Sequence, residues 1–321
     1  MDFKLTSDQE LLRDTARRLL AAECPPAAVR AHIEDRSAAN GLWGHLAGWT
    51  ELSSGSLVDL CLFLEEMGAV CAPGPFFATT VLWAPVAAAV GADPQTSGTV
   101  AMAGASGIWQ PNADPVKTFV LDADRVSQIA FVLPGPSVAI AADVQLRQVE
   151  TLDFSRPVFE AHVPGDSGAP VAPAVIEDLL ERAWVGLSAE LVGTARWLFD
   201  TTLAYAKSRV QFDRPIGSFQ AIQHKLADMA LAIERAVAAV YYAAMTIDAA
   251  DPDRHRAVHV AKAAANAAAH RAAKDGIQIH GGIGYTWECD LHLWMRRAFA
   301  SEALLGTTDW HHDRLADLVL V

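Results

Sequence analysis

Two stretches of this sequence combine residue types suited to holding a ligand. Gln278-Ile-His-Gly-Gly-Ile-Gly-Tyr-Thr-Trp-Glu288 sits between two helical patterns. Its glycines permit the sharp turns and close backbone approach that a Cβ would hinder. The segment follows a helix rather than a strand, so the dinucleotide fingerprint does not apply. Alone, it could equally be a helix stopped by glycine. Upstream, Arg209-Val-Gln-Phe-Asp-Arg-Pro-Ile-Gly-Ser-Phe-Gln-Ala-Ile-Gln-His-Lys-Leu-Ala-Asp-Met229 supplies cations, aromatic rings and glutamines around a Pro-Gly break. A third cluster, Asp309, His311, His312 and Asp313, could be read as metal ligands, but a solvated helix face accounts for it better. His224 and His280 lie inside the two motifs and read as structural or ligand-adjacent groups rather than acid–base catalysts. Cys24, Cys61, Cys71 and Cys289 show no metal-ligand spacing and read as reduced thiols.

Together the two long stretches resemble the acyl-CoA dehydrogenase family. There, an Arg-x-x-Phe-Gly-x-Pro-Ile-x-x-(Phe/His)-Gln segment and a Gln-x-x-Gly-Gly-x-Gly segment jointly hold FAD. Leu62-Phe-Leu-Glu-Glu-Met-Gly68 followed by Pro73-Gly-Pro-Phe76 is also similar to that family's N-terminal helical domain. The resemblance implies that Arg209 grips the FAD pyrophosphate, for which paired charge-assisted bonds from a guanidinium are suited. Arg209 could otherwise close its helix through the dipole. The resemblance also implies that Phe212 packs on the cofactor, that Gln220 and Gln278 bond its polar parts, and that the loop through Ile279, His280, Gly281 and Gly282 offers backbone to it. Asp213 stands where the family has glycine, which puts the local turn in question. In the family's tetramers these motifs reach across an interface to the neighbour's flavin. A chain could therefore keep the reaching motifs and lose its own site.

The family reaction is α,β-desaturation of an acyl-CoA thioester, in which a carboxylate removes the α-proton and hydride leaves the β-carbon for the flavin. A base must accept a proton within hydrogen-bond reach. At the two family base positions this sequence has Leu305, within Leu304-Leu-Gly-Thr307, and Ala183. Neither side chain can accept a proton. Among nearby carboxylates, Glu302 lies one turn before Leu305, Glu190 about 10 Å along the helix from Ala183, and Glu181 about 200° round it. None is well placed. The family's Thr-Glu-Pro, Gly-Ser-Asp and Gly-x-Lys segments, against which the flavin ring rests, are also missing: Ala103-Gly-Ala-Ser-Gly107 is a poor remnant and Trp109 lacks matching neighbours.

The elements that must position these residues are mostly helices. Apolar spacing predicts an amphipathic helix over 7–22 with Thr6 and Ser7 as caps, a second over 57–67 and a buried one over 79–90. From about Gly98 short β-branched runs at 99–103, 118–121, 128–133 and 158–163 predict a small antiparallel unit. Helical patterns return over 176–208, 220–249, 254–278 and from after Thr286 to about Leu305, a four-helix bundle. The expected fold is α+β: an N-terminal helical domain (1–97), a reduced middle β-domain (98–166) and a C-terminal four-helix bundle (167–321).

The 321 residues are enough for two or three packed units. A formal net charge of −13, with no basic run, argues against nucleic acid as a partner. The charged start and the shortness of the most apolar stretch, Val81 to Ala92, argue against a signal peptide or membrane span and point to a cytoplasmic protein. The reading that results is a shortened subunit, resembling those of heteromeric steroid-CoA dehydrogenases of actinobacteria, that completes the FAD site of a longer homologue in a heterodimer or α2β2 heterotetramer. The partners implied are an acyl-CoA and an electron-transfer flavoprotein or similar acceptor. The alternatives are a self-sufficient dehydrogenase with a relocated base, or a flavin-free structural or thioester-binding protein.

Overall fold

A computed structural model describes residues 3–165 and 168–320; the domain boundary drawn between 166 and 167 falls outside them. The first helix, α1 (Ser7–Glu23), starts at a reciprocal cap: Thr6 Oγ1 accepts the Gln9 N–H and Gln9 Oε1 accepts the Thr6 N–H. It is followed by α2 (Pro26–Glu34), α3 (Asn40–Leu46) and α4 (Leu57–Ala69). The buried stretch after Pro75 begins as a π-helical turn, Ala78–Trp83, and continues as α5 (Ala84–Ala89).

The strands form two small sheets. β1 (Gly98–Ala101), β3 (Gln128–Leu133), β4 (Ser137–Ala141) and β7 (Ala169–Pro170) make one; β2 (Val116–Leu121), β6 (Val158–His162) and β5 (Leu146–Val149) make the other. The expected all-antiparallel unit is corrected at one place, because β1 pairs with β3 in parallel. The intervening β2 belongs to the other sheet, so the chain returns to β3 by a crossover rather than a hairpin.

The C-terminal half contains α6 (Pro173–Ser208), a two-residue-stranded hairpin of β8 (Val210–Gln211) and β9 (Arg214–Pro215), α7 (Gln220–Asp248), α8 (Arg254–His280), α9 (Leu291–Ala303) and α10 (Thr308–Val319). The fourth helix stops at Ala303, short of the expected Leu305. α10 adds a helix that the apolar spacing did not reveal, since His311 is the residue it buries. Alanine makes α8 thin enough to pack against α6, α7, α9 and α10. α4 crosses α6 at glycines: a Cβ on Gly68 would fall 1.9 Å from the Glu190 carbonyl oxygen, and one on Gly193 1.8 Å from that of Glu65. The α4 N-terminus is tied to the bundle by Asp248 at the end of α7, whose carboxylate accepts the Leu57 N–H at 2.8 Å.

By length and composition α7 is apolar enough to cross a membrane, with a mean hydropathy of 1.4 over its most apolar part. It therefore exceeds Val81–Ala92 as the longest apolar stretch. It packs against α6 and α8, as an alanine-rich bundle helix does.

Candidate functional site

The two motifs meet at one end of the bundle. Arg209 follows the last residue of α6, the β8–β9 hairpin projects from it, and Gln220 opens α7. Gln278 to His280 close α8, and Gly281 ends that helix with a φ of +66°. Tyr205 of α6 stacks on His280 at 4.2 Å, and Lys225 of α7 pairs with Asp275 of α8, which fixes the three helix ends together.

The hairpin turn uses Phe212 (φ +52°) and Asp213 (φ +62°), both left-handed, as a type I′ turn requires. Asp is among the few non-glycine residues that tolerate this region, so the replacement of the family glycine leaves the turn intact. A bulky residue there is uncommon. Phe212 nonetheless adopts it with 86% of its surface exposed, its ring edge-on to Phe219 with centroids 6.1 Å apart. The exposed side chains of Arg209, Gln220 and Gln278 have no hydrogen-bond partner among the described residues. Ile279 and His280 turn inward: Ile279 joins the core, and His280 Nδ1 lies 2.9 Å from the Gly276 carbonyl oxygen. Burial lowers the His280 pKa, which the backbone contact partly offsets. Only the backbone of these two residues is left to face a ligand. Beyond Gly282 the loop also exposes Ile283, Tyr285 and Trp287, three apolar residues that motif matching passed over although their place in a glycine-rich loop marks them. An unpaired cation, outward amides, bare glycine backbone and exposed rings are what a dinucleotide's pyrophosphate and flat rings require. This arm fits FAD.

The two base positions lie far from the arm. Leu305 is 2% exposed, with a φ of +63°, and Ala183 is fully buried beside Trp184. Leu305, Trp184, Trp109, Phe119 and Trp310, with Ser106 to Ile108, Ala303, Gly306 and Thr307, line a cleft of about 280 Å³. None of these lining residues is ionisable.

The loop beneath Leu305 is held from α8. The buried Lys262 Nζ donates to Asn266 Oδ1 (2.6 Å) and to the carbonyl oxygens of Ser301 (3.3 Å) and Gly306 (3.4 Å). It caps the C-terminus of α9, as a cation there should. Burial still pushes its ammonium down to about 7, against the pull of Glu302. His311 Nε2 donates to the Leu305 carbonyl oxygen (3.1 Å), which leaves its Nδ1 to accept from His259 Nδ1–H at 2.8 Å. His311 is therefore neutral. Burial drives His259 to about 4 and, with Lys262 beside it, His311 to about 2. The expectation of a solvated His311 is corrected: α10 turns it inward, while Asp309, His312 and Asp313 remain exposed. Among the described residues no group of His, Cys, Asp and Glu is arranged to hold a metal.

The alternative carboxylates are engaged elsewhere. Glu190 is buried between Arg156 and Arg297, with Arg297 Nη1 at 2.6 Å. Arg297 also pairs with Asp153, whose acidity burial opposes but Arg297 and Arg156 increase. Glu181 binds Arg254 and His255, and Glu302 lies 2.8 Å from His270.

The remnant Ala103–Gly107 loop is closed on itself: Asp114 Oδ2 accepts the Ala105 N–H (2.8 Å) and the Gly104 carbonyl oxygen accepts the Gly107 N–H (2.9 Å). A volume of about 280 Å³ lies at the lower edge of small-ligand sites, roughly 300–1,000 Å³. With no cation at its wall and the Ala105 and Gly107 N–H groups taken, a cleft of this size does not fit FAD with an acyl thioester. Lys262, about two turns into α8, and His280 at its C-terminus stand about 27 Å apart at 1.5 Å per residue.

Residues 174–320 match the family model "Acyl-CoA dehydrogenase, C-terminal domain". Along the whole chain, "Acyl-CoA dehydrogenase IpdE2" of Mycobacterium tuberculosis is 33% identical over 310 residues, 93% of each protein. Among solved structures, the Mycobacterium tuberculosis ChsE4-ChsE5 complex aligns over 100% of this chain and 99% of the matched one, with a TM-score of 0.86 at 22% identity, a likeness of fold. A chain of the Tcur3481-Tcur3483 steroid ACAD aligns over 98% of both chains with a TM-score of 0.85 at 25% identity.

Proposed function

Because the chain belongs to the acyl-CoA dehydrogenase family, FAD-dependent oxidoreductases that act on acyl-CoA, we propose that it is a subunit without a base of its own that completes the FAD site of a longer homologue. The observation that carries this reading is the separation along α8. The groups suited to the cofactor stand at the Gly281 end, and the positions of the base, Leu305 and Ala183, at the other end hold aliphatic side chains. One FAD cannot serve both ends of this chain, so the arm's cofactor belongs to another subunit's cleft. The heteromeric ChsE4-ChsE5 complex and the Tcur3481-Tcur3483 steroid ACAD support a heterodimeric or α2β2 assembly acting on a steroid-derived acyl-CoA, and the proposal adds an electron-transfer flavoprotein or similar acceptor for the electrons.

In such an assembly Arg209 would hold the pyrophosphate, Gln220 and Gln278 the polar edges, and Phe212 would cover an apolar face of the cofactor. When bound, FAD supplies the hydride acceptor. The present chain supplies binding and exclusion of water, and the partner supplies the proton acceptor. Co-expression with a longer homologue that retains a carboxylate at the base position should give one FAD per pair and dehydrogenation of an acyl-CoA by the pair alone. One FAD per chain with activity of the isolated protein would overturn the reading in favour of a self-sufficient enzyme. No flavin in either preparation would favour a flavin-free scaffold.

A further inference from the structure

Arg209 is not the only open cation on the hairpin arm. Gln211 and Arg214 pair across β8 and β9, and the Ile216 N–H donates to the Arg209 carbonyl oxygen at 2.8 Å, which extends the same register back to the extended residue Arg209. Side chains alternate along a strand and cross-strand partners share a face, so Arg209, Gln211 and Arg214 leave the hairpin on one side. Two residues of rise and one strand spacing put the Cα atoms of the two arginines about 8 Å apart. Both side chains are exposed, and neither pairs with a carboxylate among the described residues, the adjacent Asp213 included. Other surface arginines of this acidic chain do find one: Arg147 pairs with Glu160, Arg256 with Asp253 and Arg271 with Asp228. Arg214 is held all the same. Its guanidinium lies over the Phe219 ring, 4.1 Å from the centroid. A stacked guanidinium is fixed through its flat face and keeps the N–H groups of its edge for an acceptor.

We propose that Arg214, set in place by Phe219, is a second phosphate-binding cation of the arm, so that the hairpin meets the cofactor's pyrophosphate with one guanidinium for each phosphate. The inference rests on the subunit reading above and adds a binding residue to it. Two like charges on one narrow face repel each other, and an anion with two charged groups side by side turns that repulsion into attraction for both. Charge-assisted bonds from planar guanidinium edges suit phosphate oxygens. A lone carboxylate of the partner would satisfy one of the two arginines and leave the other open. Arg214 would touch the cofactor, whereas Phe219 acts through Arg214 and is a positioning residue.

The test strips flavin from the pair formed with the longer homologue and follows FAD rebinding by flavin fluorescence over a range of salt concentrations. Arg214→Gln should weaken FAD about tenfold or more, as the loss of a charge-assisted bond does. It should also flatten the fall of FAD affinity with salt, because one of two exposed charges facing the anion is gone. Arg214→Lys and Phe219→Leu keep the charge and lose the stack, so both should weaken FAD by less than Arg214→Gln and retain the wild-type salt dependence. FAD loss with Arg209→Ala but none with Arg214→Gln would overturn this inference and leave the subunit reading standing; no loss with either would remove both. Weaker FAD binding by Arg214→Gln with an unchanged salt dependence would mean that Arg214 only shapes the hairpin. An equal weakening of the association of the two chains without flavin would assign Arg214 to a partner carboxylate. Either result would overturn the proposal.

Discussion

At the Gly281 end of α8, Arg209, Gln220 and Gln278 are exposed without side-chain partners among the described residues, and Phe212 holds a left-handed backbone with its ring in solvent. At the Lys262 end, charge is matched or capped: Lys262 sits on three acceptors, Arg297 on Asp153 and Glu190, and His311 on Leu305 and His259. Both ends belong to one rigid helix in one bundle, so the contrast is not between an ordered and a loose region. It is between a surface whose polar side chains are left for another molecule and an interior whose charged groups are paired within the chain. Polar groups left open at a surface cost a chain little, because water serves them until a partner comes. Polar groups left open in an interior cost much more.

The sharpest way to test that contrast is to remove a charge from the satisfied end. Arg297→Met leaves Asp153 and Glu190 buried together with only Arg156 between them, and breaking such a network costs about 3–5 kcal/mol. Urea unfolding should report a loss of that size. A loss under about 1 kcal/mol would mean that the cleft end is not held by this network. Next comes Leu305→Glu, which restores a carboxylate at the base position. On the proposed reading flavin is held in the partner's cleft and not in this one, so no dehydrogenation by the isolated chain is expected, and burial of the new acid should destabilise the fold by about 2–4 kcal/mol. Acyl-CoA oxidation by this variant alone would break the comparison outright.

At the open end the expected pattern reverses. Arg209→Ala removes an exposed side chain with no partner among the described residues, so the stability of the isolated chain should change by less than about 0.5 kcal/mol. FAD retention by the assembled pair should weaken about ten- to a hundredfold, the worth of charge-assisted bonds. Flavin content unchanged on dilution would remove Arg209 from the cofactor site.

The arm was legible in the sequence because its groups are consecutive: Arg209 to Gln220 and Gln278 to Gly282 need only a hairpin and a helix end to become a surface. The helices were legible for the same local reason, through apolar spacing. What escaped is long-range. His259 and His311 are 52 positions apart, and no periodicity places one ring against the other. α10 carries a mostly polar sequence, so its single inward histidine looked solvated. Glu190 could be counted along its helix from Ala183, but Arg156 and Arg297, which occupy it, come from the connection between β5 and β6 and from α9. The parallel pairing of β1 and β3 likewise depends on where the chain returns, not on which residues alternate.

A further expected effect concerns the neutral rings at the closed end. His259 titrates near 4 in the fold against an ordinary 6.5. Between those values the unfolded chain takes up a proton that the folded chain refuses, so this part of the stability is complete above about 6.5 and is lost as the pH falls towards 4. His32, also held near 4, acts in the same direction. Asp122 acts in the opposite one. Burial raises it to about 6, so the folded chain takes its proton first and gains stability as the pH falls below that value. A single profile of stability against pH mixes these signs, whereas subtracting the profile of His259→Asn from that of the wild type cancels His32 and Asp122. The wild type should lose more stability than the variant between pH 6.5 and 4, measured by urea midpoints. Parallel profiles would show that His259 carries no proton linkage, and the cleft end would then owe its closure to the Lys262 cap and the Arg297 network alone.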